Sequence, residues 1–333
     1  MKACVYYSSD FLRHDWPGHV ERKERLETTM ARLRGGILAE KIEVVEPRTA
    51  TAEEVGSVHA PWYVRYILEH GRGMLDLDTY MSEGSATAAL RAAGAAIQGV
   101  EEVLAGRRLA VGMVRPPGHH ALPVQAMGFC LFNNAAIGAR HALGKGCRVL
   151  IVDWDVHHGN GTELVFYDCP DVLYFSVHQS PLFPGTGAAS DTGVGEGEGF
   201  NVNVPLPPGS TDADYGEAFR RILLPIMDDY GPGLIIVSAG YDSHQADAIA
   251  DMRMTEAGFY SLGSMVREGS KNAGIVLLLE GGYSLEHLPS SIEASLLGLM
   301  GEPYGYMAEA ERTGAAERRI MDALKVQKKY WRL

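Results

Sequence analysis

Five short apolar runs constrain what this chain can fold into: Leu109–Val114, Val149–Val152, Val172–Val177, Leu234–Ala239 and Gly274–Leu279. Each is nearly continuous in apolar residues instead of alternating, the pattern of a strand covered on both faces. Helix-forming stretches separate them, among them the Ala-rich Thr87–Leu104, a segment ending near Leu143, the short Gly161–Tyr167 and the amphipathic Asp212–Tyr230. Strands that alternate with helices pack as a doubly wound parallel sheet, an α/β architecture. A chain of 333 residues with 46% hydrophobic content can bury a core of that size. No internal linker divides it, so a single domain over residues 1–333 is expected.

In such sheets ligands bind in the crevice at the carboxyl ends of the strands, so the residues that follow the apolar runs are the first candidates for a site. After Val152 stands Asp153-Trp-Asp-Val-His-His-Gly-Asn160. In extended backbone Asp153, Asp155 and His157 share one face and His158 points away. A carboxylate and an imidazole on one face can be two ligands of a divalent cation, the alternative being a strand end that caps the next helix, and Asp242, just past the 234–239 run, offers a third ligand. Two oxygens and one nitrogen leave a coordination position open, which suits catalytic rather than structural zinc. Water activated there hydrolyses an amide or an ester. Arg115-Pro-Pro-Gly-His-His120 presents two adjacent histidines on a stiff turn. Neighbouring side chains diverge in direction, so this pair suits proton transfer near neutral pH better than ligation. Asp153 and Asn160 are available to orient its rings. Tyr283, after a Gly-Gly turn, is a neutral donor for an oxyanion, and His178 closes the 172–177 run at the same level.

Composition narrows the function classes. The chain has 30 basic and 42 acidic residues, a net charge of −12, which argues against a phosphate-backbone binder and is compatible with a cationic substrate. Cys4, Cys130, Cys147 and Cys169 have no paired spacing, so neither a disulfide framework nor a thiolate zinc site is expected. The start lacks a secretory apolar region and no run is long enough to cross a bilayer, so a cytoplasmic protein with no membrane role is expected. The segment 14–26, with His14 and His19, is too polar for core and is expected to be a loop entering a helix near 21–34, its two histidines being candidates to line a site. Thr51–His59 begins a helix with a capping box, and 71–84 is an irregular but ordered loop. Loop 181–199 carries Gly-x-Gly pieces, but Glu196 and Glu198 would repel an anion, so no nucleotide site is expected there. The tail 309–333 spaces Ile320, Leu324 and Trp331 at near-helical intervals and is expected to be a docked terminal helix, with an oligomer contact or a membrane-surface role as the second possibility.

Six ordered motifs carry a family resemblance: Arg115-Pro-Pro-Gly-His-His120, Gly128-Phe-Cys130, Asp153-Trp-Asp-Val-His-His-Gly-Asn160, Pro184-Gly-Thr-Gly187, Ser238-Ala-Gly-Tyr-Asp242 and Glu280-Gly-Gly-Tyr283. Together they resemble the zinc-dependent histone deacetylase family, which includes acetylpolyamine amidohydrolases and acetoin-utilisation proteins, over about Tyr7 to Gly301. The resemblance implies a three-layer αβα, arginase-like fold around an eight-stranded parallel sheet. It implies Zn2+ on Asp155, His157 and Asp242, His120 as general base and acid, His119 backed by Asp153 as its electrostatic partner, and Tyr283 as oxyanion donor. It further implies a structural K+ held around Asp153, Asp155, His157, Ser176 and Val177, largely by backbone carbonyls. Phe129 and Phe183 would wall a narrow tunnel for a linear acyl-amine, with Gly128 giving a backbone acceptor.

The chain departs from the family pattern in three places. Asn160 stands where many members have Asp, as in the class II-like branch, and leaves the His120 ring without a charged partner. Val20 replaces a usual proline beside His19. Ile249 falls near the position where acetylpolyamine-selective relatives carry a Glu, which favours acyl-lysine or another acyl-amine over an acetylpolyamine, although Asp78 or Glu83 could supply a replacement charge. An acetylpolyamine deacetylase and a dinuclear-manganese ureohydrolase remain alternatives, as does a non-catalytic acyl-lysine or small-ligand binding protein, and a homo-oligomer is compatible with all of them. The manganese alternative needs bridging carboxylates, whereas Ser243 and His244 follow Asp242.

Overall fold

The structure is a computed structural model that describes residues 2–305 and 311–333. Its first half contains β1 (Ala3–Tyr6), α1 (Glu24–Gly35), β2 (Ile42–Val45), α2 (Ala52–Val55), α3 (Pro61–Glu69), β3 (Gly73–Met74), β4 (Tyr80–Met81), α4 (Ser85–Leu104), β5 (Leu109–Gly112) and α5 (Asn134–Leu143). The second half contains β6 (Val149–Asp153), α6 (Asn160–Phe166), β7 (Val172–Gln179), β8 (Asn201–Leu206), α7 (Asp212–Ala218), α8 (Leu224–Tyr230), β9 (Leu234–Ala239), α9 (Glu256–Gly269), β10 (Gly274–Leu279), α10 (Leu288–Met300) and α11 (Gly314–Gln327). Eight strands form one parallel sheet in the order β2-β1-β5-β10-β9-β6-β7-β8, with β3 and β4 a separate antiparallel pair. Every residue of β5, β6, β9 and β10 is buried, as continuous apolar runs require. Helices flank the sheet, α4 packing on α5 and α9 on α10, with α1 beside α10.

Several elements differ from the sequence expectation for identifiable reasons. The capping box of Thr51 and Glu54 is present, but α2 stops at Gly56 and helix resumes only at α3, where Pro61 occupies the first turn. Residues 212–230 are helical throughout, yet Phe219–Leu223 forms a wider π-type turn. Pro225 has no N–H for a carbonyl one turn earlier, and the hydrogen-bond ladder widens around it. Strand β8 and helices α3, α9 and α10 were not foreseen.

The polar segment 14–26 is the expected loop entering a helix, which starts at Glu24, but part of it reaches the core. His14, Glu21 and Arg25 are buried, because Glu21 receives Arg115 in two hydrogen bonds of 2.5 and 2.6 Å and Arg25 at 2.9 Å. Charges that satisfy one another can be buried where unpaired ones cannot. At the other end of the chain α11 lies along the edge strand β8, with Gln327 Nε2 donating to the Asn201 carbonyl and Trp331 Nε1 to that of Gly199. Of the expected tail, residues 309 and 310 lie outside the described residues. The four cysteines are unpaired, and among the described residues no helix is long and apolar enough to cross a membrane.

Candidate active site

The strand order β5-β10-β9-β6 makes neighbours of the four strands whose ends carry the candidate residues. Their carboxyl ends bring together the 115–120 turn, the 280–283 turn, Asp242 and the 153–157 segment. A pocket of about 220 Å³ opens above them. His119, His120, Asp155, His157 and Tyr283 line it, with Gly128, Phe129 and Phe183 as walls and Asp78 and Ile249 completing the lining. A larger groove of about 680 Å³ lies by Lys2, Arg108 and Ile275, at the starts of β1, β5 and β10. That is the amino end of the sheet, away from where parallel sheets hold ligands.

Asp155, His157 and Asp242 place their donor atoms within 4.8 Å of one another. His157 Nδ1 lies 3.1 Å from Asp155 Oδ1 and 3.2 Å from Asp242 Oδ2. The other oxygens are anchored, Asp155 Oδ2 by the Gly281 N–H at 2.8 Å and Asp242 Oδ1 by that of Val156 at 3.0 Å. Asp242 Oδ2 is buried and has no hydrogen bond. A Cβ at position 281 would stand 2.2 Å from that oxygen and 2.6 Å from Asp155 Oδ2, so only glycine lets the backbone lie against both carboxylates. Burial and the neighbouring Asp155 push the Asp242 carboxyl up to about 6. Burial opposes charge on His157, but the Asp155 and Asp242 carboxylates beside it outweigh this and hold the ring up to about 10. Two buried carboxylates thus draw a positive charge between them, and the donor set fits a divalent ion with an open position.

The two adjacent histidines differ in environment. His119 Nδ1 lies 3.0 Å from Asp153 Oδ2, which also accepts the Tyr174 hydroxyl at 3.1 Å. Burial disfavours its charge, yet Asp153 and Asp155 overcome that and raise it to about 10. His120 Nδ1 faces Asn160 Oδ1 at 2.7 Å, so Nδ1 is the donor and Nε2 is free to accept a proton. Burial, with the charges of His119 and His157, holds His120 well below its ordinary value. Neighbouring groups driven apart in this way divide naturally into a charged partner and a neutral base. Burial keeps the Tyr283 phenol well above its usual value, so it is a neutral donor.

Three supporting residues carry no signal that spacing alone would reveal. Glu280 Oε2 accepts the N–H groups of Gly118 and His119 at 2.6 and 3.2 Å and so fixes the His-His turn, while burial pushes its carboxyl up to about 7. Arg25 donates to the carbonyls of Glu280 and Gly282, each at 2.6 Å, and its guanidinium lies 4.8 Å over the Tyr283 ring. Thr79 Oγ1 accepts the N–H of Phe129, which sits at φ 69°. Only Glu280 offers a hint in sequence, as a charge set directly at the end of a wholly apolar run.

Other nominated histidines serve the scaffold. His14 bonds Ser85 Oγ at 2.6 Å, His158 bonds Thr186 Oγ1 at 2.8 Å, and His178, inside β7, bonds Ser176 Oγ at 2.9 Å and the Gly187 carbonyl at 3.0 Å. His19 stands behind the pocket wall, its ring 4.8 Å from that of Phe129 and its Nε2 2.9 Å from the Asp78 carbonyl. Ser176 and Val177 are buried in β7, where Ser176 pairs in register with Asp153. A second cluster, His244, Glu256 and His287, stacks its two rings at 4.6 Å and 21°. His244 Nδ1 accepts the Ala246 N–H, which leaves the ring hydrogen on Nε2 toward Glu256, 3.4 Å away. Glu256 Oε1 also meets His287 Nδ1 at 3.1 Å and accepts the Ser290 hydroxyl at 2.9 Å, so the cluster braces the start of α10.

A sequence model of the histone deacetylase domain matches residues 19–299. A probable deacetylase of Archaeoglobus fulgidus is 38% identical over 356 residues, spanning 100% of this chain and 99% of its own length. A Pseudomonas aeruginosa protein named histone deacetylase-like amidohydrolase is 39% identical over 285 residues, spanning 82% of this chain and 74% of that protein. The crystal structure of the HDA15 HD domain superposes with a TM-score of 0.92 at 34% identity, covering 99% of this chain and 96% of that one.

Proposed function

The chain belongs to the histone deacetylase family, with the arginase-like fold of its structural neighbour, and on that footing we propose that it is a zinc-dependent amidohydrolase removing acetyl or other acyl groups from a linear amine such as acyl-lysine. The observation that carries this is the meeting on one pocket floor of the Asp155–His157–Asp242 donors, the His120–Asn160 pair and Tyr283. Zn2+ held by the three donors would polarise the acyl carbonyl and make water nucleophilic near neutral pH.

His120 takes the proton of the attacking water at Nε2 and returns it to the departing amine nitrogen. Asn160 fixes its tautomer, and the charge on His119, held by Asp153, discourages a second proton on the neighbouring ring before the reaction begins. The Tyr283 hydroxyl donates to the carbonyl oxygen as negative charge gathers there. Phe129 and Phe183, in the pocket lining, would exclude water from a linear chain, and the Gly128 carbonyl would accept the amide N–H. A potassium ion is proposed beside the zinc, on backbone carbonyls around Asp153, Asp155, His157 and Val177 with Ser176.

Ile249 in the pocket lining leaves no carboxylate there for a distal ammonium, which favours acyl-lysine over acetylpolyamines, with Asp78 as the acid available nearby. His244 gathers with Glu256 and His287 and not with Asp155 and Asp242, which speaks for one zinc on that pair and against a dinuclear manganese ureohydrolase. Metal analysis of the purified protein beside a panel of acetyl-lysine peptides, acetylputrescine, acetylspermidine and longer acyl-lysines tests the proposal. One Zn2+ per chain with turnover of acyl-lysine is expected. Two Mn2+ per chain with guanidino hydrolysis, or binding of acyl-amines by zinc-loaded protein without turnover, would overturn it.

A further inference from the structure

We propose that Asp247 is a positioning residue for Tyr283, its single carboxylate fixing the turn that carries the phenol and tying that turn to the pocket wall at Ile249. The proposal rests on the role given above to Tyr283. Asp247 lies in the connection between β9 and α9 and is 6% exposed. Its Oδ2 accepts the backbone N–H of Tyr283 at 2.5 Å and that of Ser284 at 3.0 Å. Its Oδ1 accepts the N–H of Ile249 at 3.2 Å. Hydrogen bonds to an ionised acceptor are about twice as strong as neutral ones, so this is the firmest hold on the N–H side of the turn.

The opposite side of the same turn is held by charge of the other sign. Arg25 donates to the carbonyls of Glu280 and Gly282, both at 2.6 Å. Gly282 between these anchors has φ 114°, and a Cβ there would lie 2.8 Å from Leu288 Cδ1, so the turn is sharp and closely packed. Carbonyls on a cation and N–H groups on an anion leave the peptide planes of 280–284 little freedom. The loop bearing Asp247 is itself moored, since Asp247 N–H donates to the His244 carbonyl at 2.8 Å and Glu256 bonds His287 just beyond the turn at 3.1 Å. Removing the carboxylate frees two neighbouring N–H groups at the residue whose hydroxyl must meet the developing oxyanion. A displacement of about 1 Å in such a donor costs on the order of a hundredfold in rate.

A double-mutant cycle on the zinc-loaded full chain separates positioning from mere loop stability, with kcat and KM measured on an acetyl-lysine peptide and Tm recorded for every variant. Asp247→Ala is expected to lower kcat by about ten- to a hundredfold with KM within about threefold. Asp247→Asn keeps one oxygen for the two N–H groups of the turn and should lose only about three- to fivefold. In a Tyr283→Phe background either change should cost less than about twofold more, because the donor it serves is gone. An equal loss in both backgrounds, or no loss beside native Tyr283, overturns the proposal. Should the alanine variant fail to fold, the same cycle on Asp247→Asn decides in the same way. If Tyr283→Phe alone stays within a few-fold of the parent, it is the role of Tyr283 that falls, and this proposal with it.

Discussion

At the scale of single residues, the site depends on one environment separating two chemically identical neighbours. His119 faces two carboxylates and His120 faces an amide, so a proton placed on the pair settles on His119. His120→Ala should therefore lower kcat by about 10²- to 10⁴-fold and change KM little, since proton transfer belongs to the transition state. Steady-state kinetics on an acetyl-lysine peptide checks this, and a raised KM with intact kcat would remove the proposed role. Tyr283→Phe should cost on the order of a hundredfold or more in kcat with the Tm preserved. The residues in these two predictions are visible in the sequence, because each belongs to a polar turn that follows a continuous apolar run. Arg25 and Asp247 are not, and Glu280 shows only as a charge at the end of the 274–279 run, since each acts through backbone groups remote in sequence and nothing in local spacing records such a bond.

At the scale of elements, the segment entering α1 shows where polarity misleads. Glu21, Arg25 and Arg115 are each 0% exposed, and their mutual pairing ties α1 to the turn after β5 and, through Arg25, to the Tyr283 turn. Burial alone would raise the Glu21 carboxyl, but Arg115, then His14 and Arg25, outweigh it and hold the group well below its ordinary 4.5. A depressed carboxyl stabilises the fold fully above about pH 4.5, and that contribution is lost as pH falls below it. The groups facing Glu21 are Arg115, Arg25, His14 and the Tyr80 hydroxyl. Glu21→Gln leaves two buried guanidinium groups underpaired and should cost about 3–5 kcal/mol at neutral pH. The gap from the parent should narrow by roughly 1.4 kcal/mol per unit below about pH 4.5, as urea unfolding at several pH values would show. A gap independent of pH would mean that folding leaves the Glu21 carboxyl at its ordinary value. Elsewhere, periodicity located the buried central strands, while the edge strand β8 escaped it. Asn201-Val-Asn-Val-Pro-Leu206 alternates and contains a proline, which suits the edge position of β8 but mimics a loop.

For the whole molecule, the order of strands is what turns scattered motifs into a site, and it is the part least legible in one dimension. Parallel pairing was implied by the alternation of strands and helices, but nothing local says that β10 and β9 lie between β5 and β6. The same order leaves β8 at one edge with unpaired backbone groups, a position that invites pairing with another chain unless it is covered. Here the cover is α11: Ile320, Ala323, Leu324 and Gln327 are buried, and Gln327 and Trp331 bond carbonyls at the start of β8 and just before it. Burying Ile320 and Leu324 contributes roughly 3–6 kcal/mol together. Deleting residues 314–333 should therefore lower the Tm by on the order of 10 °C, and self-association should rise as the β8 edge and its apolar neighbours are uncovered. Thermal unfolding and light scattering after size exclusion measure both effects. The pocket is built at strand ends nearer the middle of the sheet, so the folded fraction should retain its activity per chain. A truncated chain that keeps the parent's Tm and association state would show that α11 is a passenger on β8 and that the edge is protected by its own polar residues.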